Sequence, residues 1–515
     1  MTNNITDFSS HERALKDILE YAKNKQVMIA PEALFSLDNA NYKTIIGLAS
    51  DEGLFVISKT YVEDWKRKHS NILPVDEVVN KTVAPERIVE IQRTKHIPAK
   101  DVESDIKIIH ASDISFNGRN QGKVSEFLAY FRERFEVLGG MLKRRPNISA
   151  MTSEDLRKRT NKNEEIVLIG MLSGKGRTKN DNIMLNFDDE EGQFKVVVTK
   201  RDEELLKLAE NVVDDDVVAI RGTKLGDDII IGKEIEYPDL QNRVYKGCAR
   251  DLNAVVISDT HIGSNLFYGD EFQKFIDWIS MKNDEDAELV GKIKYMFIAG
   301  DLVDGVGVYP QQINELDIFD VYEQFDKAYD YISQIPEHIE IIIGPGNHDP
   351  VRLADPQPAV DKEYAQKLFD LKNVNFVGSP SWIEIEGLKT LMYHGNSMFS
   401  LQFALNLDAS SPARTMQEML KRRDLAPIYG TRHPILPEKG GYTLIKEEPD
   451  IFITGHIHKN EYSNYKGTIL VNPGTWQGQT SYQLEQGHHP TPGRVPVIEL
   501  KTGKIIEKVF IDESS

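Results

Sequence analysis

Met296-Phe-Ile-Ala-Gly-Asp-Leu-Val-Asp304 joins an apolar run typical of a buried strand to a glycine and two carboxylates. The same pattern recurs through the C-terminal half. Val255, Val256 and Ile257 run into Asp259-Thr-His261, and Ile341 to Ile343 run into Gly346-Asn347-His348-Asp349. Leu391 to Tyr393 lead to His394-Gly-Asn396, and Ile451 to Thr454 lead to Gly455-His456-Ile-His458. From Asp251 onward such runs alternate with polar loops and helical stretches, the texture of a layered α/β domain. Polar groups at the carboxyl ends of strands in such a domain converge on one rim. Asp together with neutral His suits borderline cations such as Mn, Fe or Zn, whereas an all-carboxylate set favours Mg or Ca. In Asp259-x-His261 and His456-x-His458 the two-residue spacing sets both side chains on one side of an extended segment, or lets a sharp turn direct both inward. Glycine before Asp301, Asn347 and His456 permits tight turns and close backbone approach. A lone histidine is ordinarily a satisfied structural residue. That reading holds for His338, His433, His488 and His489, but it does not extend to the repeated motif set.

Upstream the texture differs. Residues 1–65 open with Ser10 as an N-cap and place Leu15, Ile18, Leu19 and Ala22 at helical spacing, predicting a small helical N-terminal module. Residues 66–123 are polar and punctuated by Pro74, Pro85 and Pro98, predicting a mobile linker with a short strand at Ile106 to Ile109. Within 124–241, Phe127, Leu128, Phe131, Phe135 and Leu138 form the packing stripe of a helix expected to stop at Gly139 and Gly140. The runs Ile166 to Ile169, Ile183 to Phe187, Phe194 to Thr199, Val217 to Arg221 and Ile229 to Ile231 follow. With a helix at Glu203 to Ala209 between the third and fourth, they predict an OB-type β-barrel, a fold that binds single strands or serves as a docking module. Residues 242–515 carry the repeated motifs. The basic cluster Lys143, Arg144, Arg145, Arg157, Lys158, Arg159 and Lys162 reads first as a solvated face, with nucleic acid or an acidic partner as the alternative. Ser173-Gly-Lys-Gly-Arg-Thr-Lys179 lacks P-loop spacing and reads as a hairpin with basic tips.

A chain of 515 residues, 40% apolar and 28% charged, is long enough for several domains with separate cores. The first thirty residues lack the features of a signal peptide, and no run of about eighteen apolar residues occurs, so a cytoplasmic protein that does not enter the membrane is expected. Cys248 is the single cysteine; this excludes an internal disulfide framework and a cysteine-based zinc site, and the residue reads as a small buried hydrophobe. A net charge of -19 counts against DNA binding, because affinity for a polyanion comes mainly from Lys and Arg. A partner subunit that grips DNA, or divalent cations in an acidic site, would offset it.

Taken in order, D-x-H, G-D-x-x-D, G-N-H-D, H-G-N and G-H-x-H, from about Asn253 to Gln483, resemble the calcineurin-like metallophosphoesterases. Gly346-Asn-His-Asp-Pro-Val-Arg-Leu-Ala-Asp-Pro-Gln-Pro358 and Asn472-Pro-Gly-Thr-Trp-Gln-Gly-Gln-Thr-Ser-Tyr-Gln483 are similar to segments of the small subunits of archaeal family D DNA polymerases, the polymerase B-subunit type. The resemblance implies a multidomain α/β chain with a two-sheet calcineurin-like phosphoesterase domain at 242–515. It implies two divalent metal ions, most readily Mn, with Asp259, His261 and His458 holding one. Asn347, His394 and His456 would hold the other, and Asp301 would bridge them. The cations would activate water for in-line attack on phosphorus, His348 would protonate the departing oxygen, and Asp304 would orient His348. Arg352 becomes a candidate phosphate contact, with a salt bridge as its other fate. In the protein phosphatases of this superfamily an Arg typically follows the second motif and the third ends in Glu; Gly305 and Asp349 stand there instead, which counts against a phosphoprotein substrate. The function implied is 3′-to-5′ proofreading exonuclease activity on single-stranded or mismatched DNA ends. The partners implied are a large catalytic polymerase subunit and, further out, a sliding clamp or primase. A catalytically silent scaffold and a metallophosphatase on non-DNA substrates are the alternatives.

Overall fold

A computed structural model describes residues 97–511 apart from 117–121 and 284, together with 18, 21–23, 25, 27–30, 33, 37, 42–51 and 56–69 of the N-terminal part. The chain divides into two compact units, Met1–Arg93 and Thr94–Ser515. In the first unit, helices Tyr42–Asp51 and Lys59–His69 direct Ile45, Ile46, Ala49 and Val62 into a small core with Ile18 and Ala22. Strands β1 (Met28–Ile29) and β2 (Val56–Ile57) pair in parallel beside it. Ser10, Leu15, Leu19, Pro74 and Pro85 lie outside the described residues.

The second unit starts inside the stretch expected to be linker. Strand β3 (Ile106–Ile108) pairs antiparallel with a strand at Ser381–Ile385, and the Asp113 carboxylate accepts from Gly378 N and Ser381 Oγ. Nothing local in this proline-bounded sequence announces such attachment, because the pairing partner lies far downstream, with Ile383 opposite Ile108. The helix Val124–Lys143 runs through Gly139 and Gly140 instead of stopping there. Its Phe135, Leu138 and Leu142 pack on Val167, Ile169, Val217 and Ala219, and this burial outweighs a glycine cost of about 1 kcal/mol each. Leu128, expected in the packing stripe, is exposed.

That helix leans on a closed five-stranded barrel of β4 (Glu165–Arg177), β5 (Ile183–Asp189), β6 (Gly192–Val198), β7 (Val217–Lys224) and β8 (Ile229–Glu236). β6 and β8 pair in parallel while β4 closes antiparallel on β7, as expected of an OB-type barrel. The helix Glu203–Glu210, capped by the Asp202 carboxylate, sits between β6 and β7. The basic-tipped hairpin is the far end of β4 and β5, where Lys175 donates to Glu210 O and Val212 O. In the basic cluster, Arg145, Lys158 and Arg159 pair with Glu236, Glu154 and Glu164, the behaviour of a solvated face.

The remaining strands build two stacked sheets. One has the order β12 (Val374–Phe376), β11 (Glu340–Gly344), β10 (Ile293–Ala299), β9 (Asn253–Ile257), β18 (Arg494–Glu499) and β19 (Ile505–Val509). The other has β16 (Asn460–Tyr465), β17 (Thr468–Pro473), β15 (Ile451–Ile453), β14 (Leu388–Met392), β13 (Ser381–Ile385) and β3. Strand alternation explains the unbroken apolar runs. Ala254, Val256, Tyr295 and Phe297 face Ile383, Met392, Ile451 and Val471 between the sheets. Val255, Ile257, Met296 and Ile298 face outward onto helices Gly269–Ile279 and Val321–Ile332. On the other outer face, Leu391, Tyr393, Phe452 and Leu470 meet helices Met398–Leu405 and Pro412–Arg422. The result is a two-sheet sandwich with helices on both outer faces, the architecture expected of residues 242–515. Among the described residues no helix is long and apolar enough to cross a membrane.

Candidate metal centre

Strands β9 and β10 run in parallel and end side by side, so the loops that follow them cross one another at once. Asp259 N donates to Gly300 O, His261 N to Asp301 O, and Asp304 N to Ile262 O. These bonds hold the D-x-H and G-D-x-x-D segments as one unit. The loops after β11, β14 and β15 close the rim: His348 N donates to Asp301 Oδ1 at 2.7 Å, Gly455 N to His394 O, and His456 N to the Asp259 carboxylate.

Two groups of ligand-type atoms result. In one, Asp259, His261 and His458 meet, with His261 Nε2 and His458 Nε2 only 3.0 Å apart and Asp259 Oδ1 3.2 Å from His458 Nε2. In the other, Asp301, His394 and His456 meet, with His394 Nε2 3.2 Å from Asp301 Oδ2 and 3.2 Å from Asn347 Oδ1. Asp301 also stands 3.8 Å from His261 Nε2, between the two groups. All seven residues expected as ligands are thus brought together.

Donor chemistry shows that this arrangement suits a cation. His261 Nδ1 lies 2.9 Å from Asp304 Oδ1 and His394 Nδ1 lies 2.8 Å from Ala299 O. Carboxylate and carbonyl oxygens only accept, so both rings carry a proton on Nδ1 and turn Nε2 inward. The Nε2 atoms of His261 and His394 then meet the buried Asp259 and Asp301 carboxylates, a set that positive charge at its centre stabilises. His394 responds in that direction: burial opposes its charged form, yet the carboxylates of Asp301 and Asp259 push its pKa up to about 10. Burial, reinforced by His394, holds His456 down to about 3. Burial alone would raise Asp301, but His394 and His348 outweigh it and hold the carboxyl well below its usual range.

The backbone is strained where the ligand atoms gather. Asp259, His261, Asp301, His456 and His458 all have positive φ, between 50° and 68°, a region that side chains other than glycine rarely adopt. Sequence carried no sign of this. The motif glycines permit close approach: a Cβ on Gly346 would lie 2.2 Å from Asp301 Oδ1, and one on Gly300, at φ +93°, would lie 2.3 Å from His394 Nδ1.

Asp304 departs from expectation, and Arg352 takes the salt bridge that was its other fate. The Asp304 carboxylate was expected to orient His348. Instead Oδ1 serves His261 at 2.9 Å, with His348 Nδ1 at 3.6 Å, and it is His348 Nδ1 and the Asp304 main-chain oxygen that meet at 2.8 Å. The crossing of the two loops puts the Asp304 side chain under His261 and its carbonyl under His348. Arg352 is engaged by protein: its Nε and Nη2 donate to Pro356 O, and Nη1 donates to the buried Glu438.

Several residues with no role legible in sequence support the centre. Gln312 and Gln477 donate to the Asp304 carboxylate, Gln483 pairs with His458 Nδ1 at 2.9 Å, and Thr475 Oγ1 donates to Asp259 O. Three of them fall in Asn472–Gln483, the segment whose resemblance was visible without its physical purpose. Asp349 accepts from Gly346 N and Val303 N, and burial, with Asp301 nearby, pushes its carboxyl up to about 7. Asn396 sits behind the centre, donating to Asp355 and Gln357. His433 is also structural, 2.7 Å from Asp355.

Comparison with known proteins bears on this geometry. A family profile for the B subunits of DNA polymerases alpha and epsilon matches residues 254–463. The DNA polymerase II small subunit of Methanothermobacter thermautotrophicus is 37% identical over 416 residues, covering 80% of this chain and 84% of that one. Its counterpart in Methanocaldococcus jannaschii is 37% identical over 447 residues, covering 86% and 72%. The counterpart in Archaeoglobus fulgidus is 35% identical over 483 residues, covering 91% and 93%.

Proposed function

The chain belongs to the family of archaeal DNA polymerase II small subunits, and on that premise we propose that it is a metal-dependent 3′-to-5′ exonuclease that proofreads for a large polymerase subunit. Asp259, His261 and His458 would hold one divalent cation, and Asn347, His394 and His456 a second, with Asp301 shared. Bound there, such cations, Mn foremost with Fe or Zn as alternatives, supply Lewis acidity at the phosphoryl oxygens and a water of lowered pKa. The observation that supports the reading most is the convergence of two groups of buried Asp and His ligand-type atoms, with Asp301 standing between them.

The chain's own residues do the rest. His348 keeps its Nδ1 on the Asp304 carbonyl, so Nε2 is the atom free to deliver a proton to the departing 3′ oxygen. Its main chain is tied to Asp301 Oδ1, which fixes the acid in register with the shared carboxylate. The Asp304 carboxylate positions His261, a carboxylate–histidine pairing of the kind that tunes a ligand's orientation and basicity. The direction of digestion and the proofreading role come from the family resemblance. The large subunit is the partner proposed, with a sliding clamp or primase as further ones.

A 3′-end degradation assay on the purified chain, with and without the large subunit, tests this reading. Mononucleotides should be released from a 3′-mismatched primer in Mn, the activity should disappear in EDTA, and added Mn should restore it. His348→Ala should lose at least about 10²-fold in kcat while binding as much Mn as the wild type. Release of no nucleotide from chain or complex with any of Mn, Fe, Zn or Mg would leave a scaffold. Preference for phosphomonoesters over DNA would leave a phosphatase.

A further inference from the structure

Next to the two ligand groups lies a cleft of about 490 Å³ whose lining includes Asn347 and His348 together with Val306, Phe319, Tyr322 and Leu353. These four apolar side chains are 46%, 58%, 45% and 59% exposed. Scattered exposed apolar residues need no explanation, but four lining one cleft with Asn347 and His348 mark a binding surface. Tyr322 is also held in a definite plane, its ring stacked on that of Tyr364 at 5.2 Å and 27°. No Lys or Arg lines the cleft, and its charged members are Asp320, His348 if protonated, and Asp349. A phosphate backbone is therefore a poor occupant, whereas a flat uncharged ring is a good one.

We propose that the cleft receives one unpaired nucleobase adjoining the scissile phosphate, stacked on Phe319 and Tyr322. This rests on the nuclease reading, because Asn347 and His348 belong to cleft and centre alike and so set the occupant one nucleotide from the reacting phosphorus. A base can enter only after leaving the duplex, and a mismatched or frayed end releases it at least cost. Preference for unpaired ends is then built into this wall, and stacking supplies it without reading base identity.

The test uses the full chain in Ca, with oligonucleotides carrying 2-aminopurine at the last or the penultimate position of the 3′ end. Stacking should quench the fluorescence at one of these positions. Phe319→Ala and Tyr322→Ala should abolish the quenching and weaken Kd on the order of tenfold, while Phe319→Tyr, which keeps the ring, should retain it. An abasic residue at the quenched position should erase the difference between wild type and variants; thermal melting checks that the variants fold. Absence of quenching at both positions, or wild-type affinity in both alanine variants, would overturn the proposal. Cleavage in Mn is scored separately. Quenching without cleavage keeps the cleft and removes the nuclease, and cleavage without quenching does the reverse.

Discussion

Positive φ angles at Asp259, His261, Asp301, His456 and His458 put backbone strain at the same residues that supply ligand atoms. Each such conformation costs on the order of 1–3 kcal/mol and persists only where surrounding contacts impose it. Here the inter-loop hydrogen bonds and the glycine contacts impose it. Gly346→Ala should therefore disturb Asp301 directly, and Mn affinity measured by titration calorimetry should fall at least about tenfold, as when groups that orient metal ligands are lost. A second residue-scale prediction concerns His338, whose ring burial, with Lys294 and Lys100 beside it, pushes down to about 4. Between about pH 6.5 and pH 4 the unfolded chain takes up a proton there that the folded chain refuses. The stability this depressed group contributes is thus complete above about pH 6.5 and is lost as pH falls through about 4. His338→Gln should flatten the decline of Tm across that window; an unchanged slope would show that the ring does not titrate as its surroundings require.

At the scale of elements, the helix Val124–Lys143 couples the barrel to the two-sheet domain through a buried cation. Arg134, 1% exposed, pairs with Asp424 at 2.9 Å and donates to Ala426 O, Pro427 O and Tyr130 Oη. Arg422 does the same from the other side, pairing with Asp216 at 3.0 Å and with Glu418, and donating to Asn211 O. Removing one partner of such a pair strands the other charge in the interior, at a cost of about 3–5 kcal/mol. Arg134→Ala should accordingly lower the urea midpoint of the second unit by that equivalent. A double substitution that also neutralises Asp424 should recover part of the loss, since the uncompensated carboxylate is then gone. A single change that costs less than about 1 kcal/mol would show that water reaches the pair.

For the molecule as a whole, a net charge of -19 and a centre that gathers buried carboxylates with imidazoles favour binding cations before binding DNA. Cations that bind the folded chain should stabilise it by about 2.7 kcal/mol at a hundredfold excess over Kd. Mn should therefore raise the melting temperature of the second unit, and Asp301→Ala, which removes the shared carboxylate, should abolish the rise. A melting temperature indifferent to Mn, Fe and Zn in the wild type would remove the metal reading altogether. On the proposed function, so acidic a chain should leave most of the grip on DNA to the partner subunit, and the lone chain should bind a primer end more weakly than the complex at the same salt.

Sequence by itself determined the layers and the place of the candidate centre. Apolar runs buried on both faces wrote the two sheets into the chain, and Asp, His and Asn at their ends identified the centre, because strand ends in an α/β domain share a rim whatever the loops between them do. Tertiary structure decided the rest. The attachment of Ile106–Ile108 depends on a strand far along the chain, the continuation of a helix through Gly139 and Gly140 depends on a barrel wall, and the double duty of Asp304 depends on two loops that cross. Periodicity and residue type are local properties, whereas edge pairing, close packing and the aim of a carboxylate are set by groups that only the fold brings within reach.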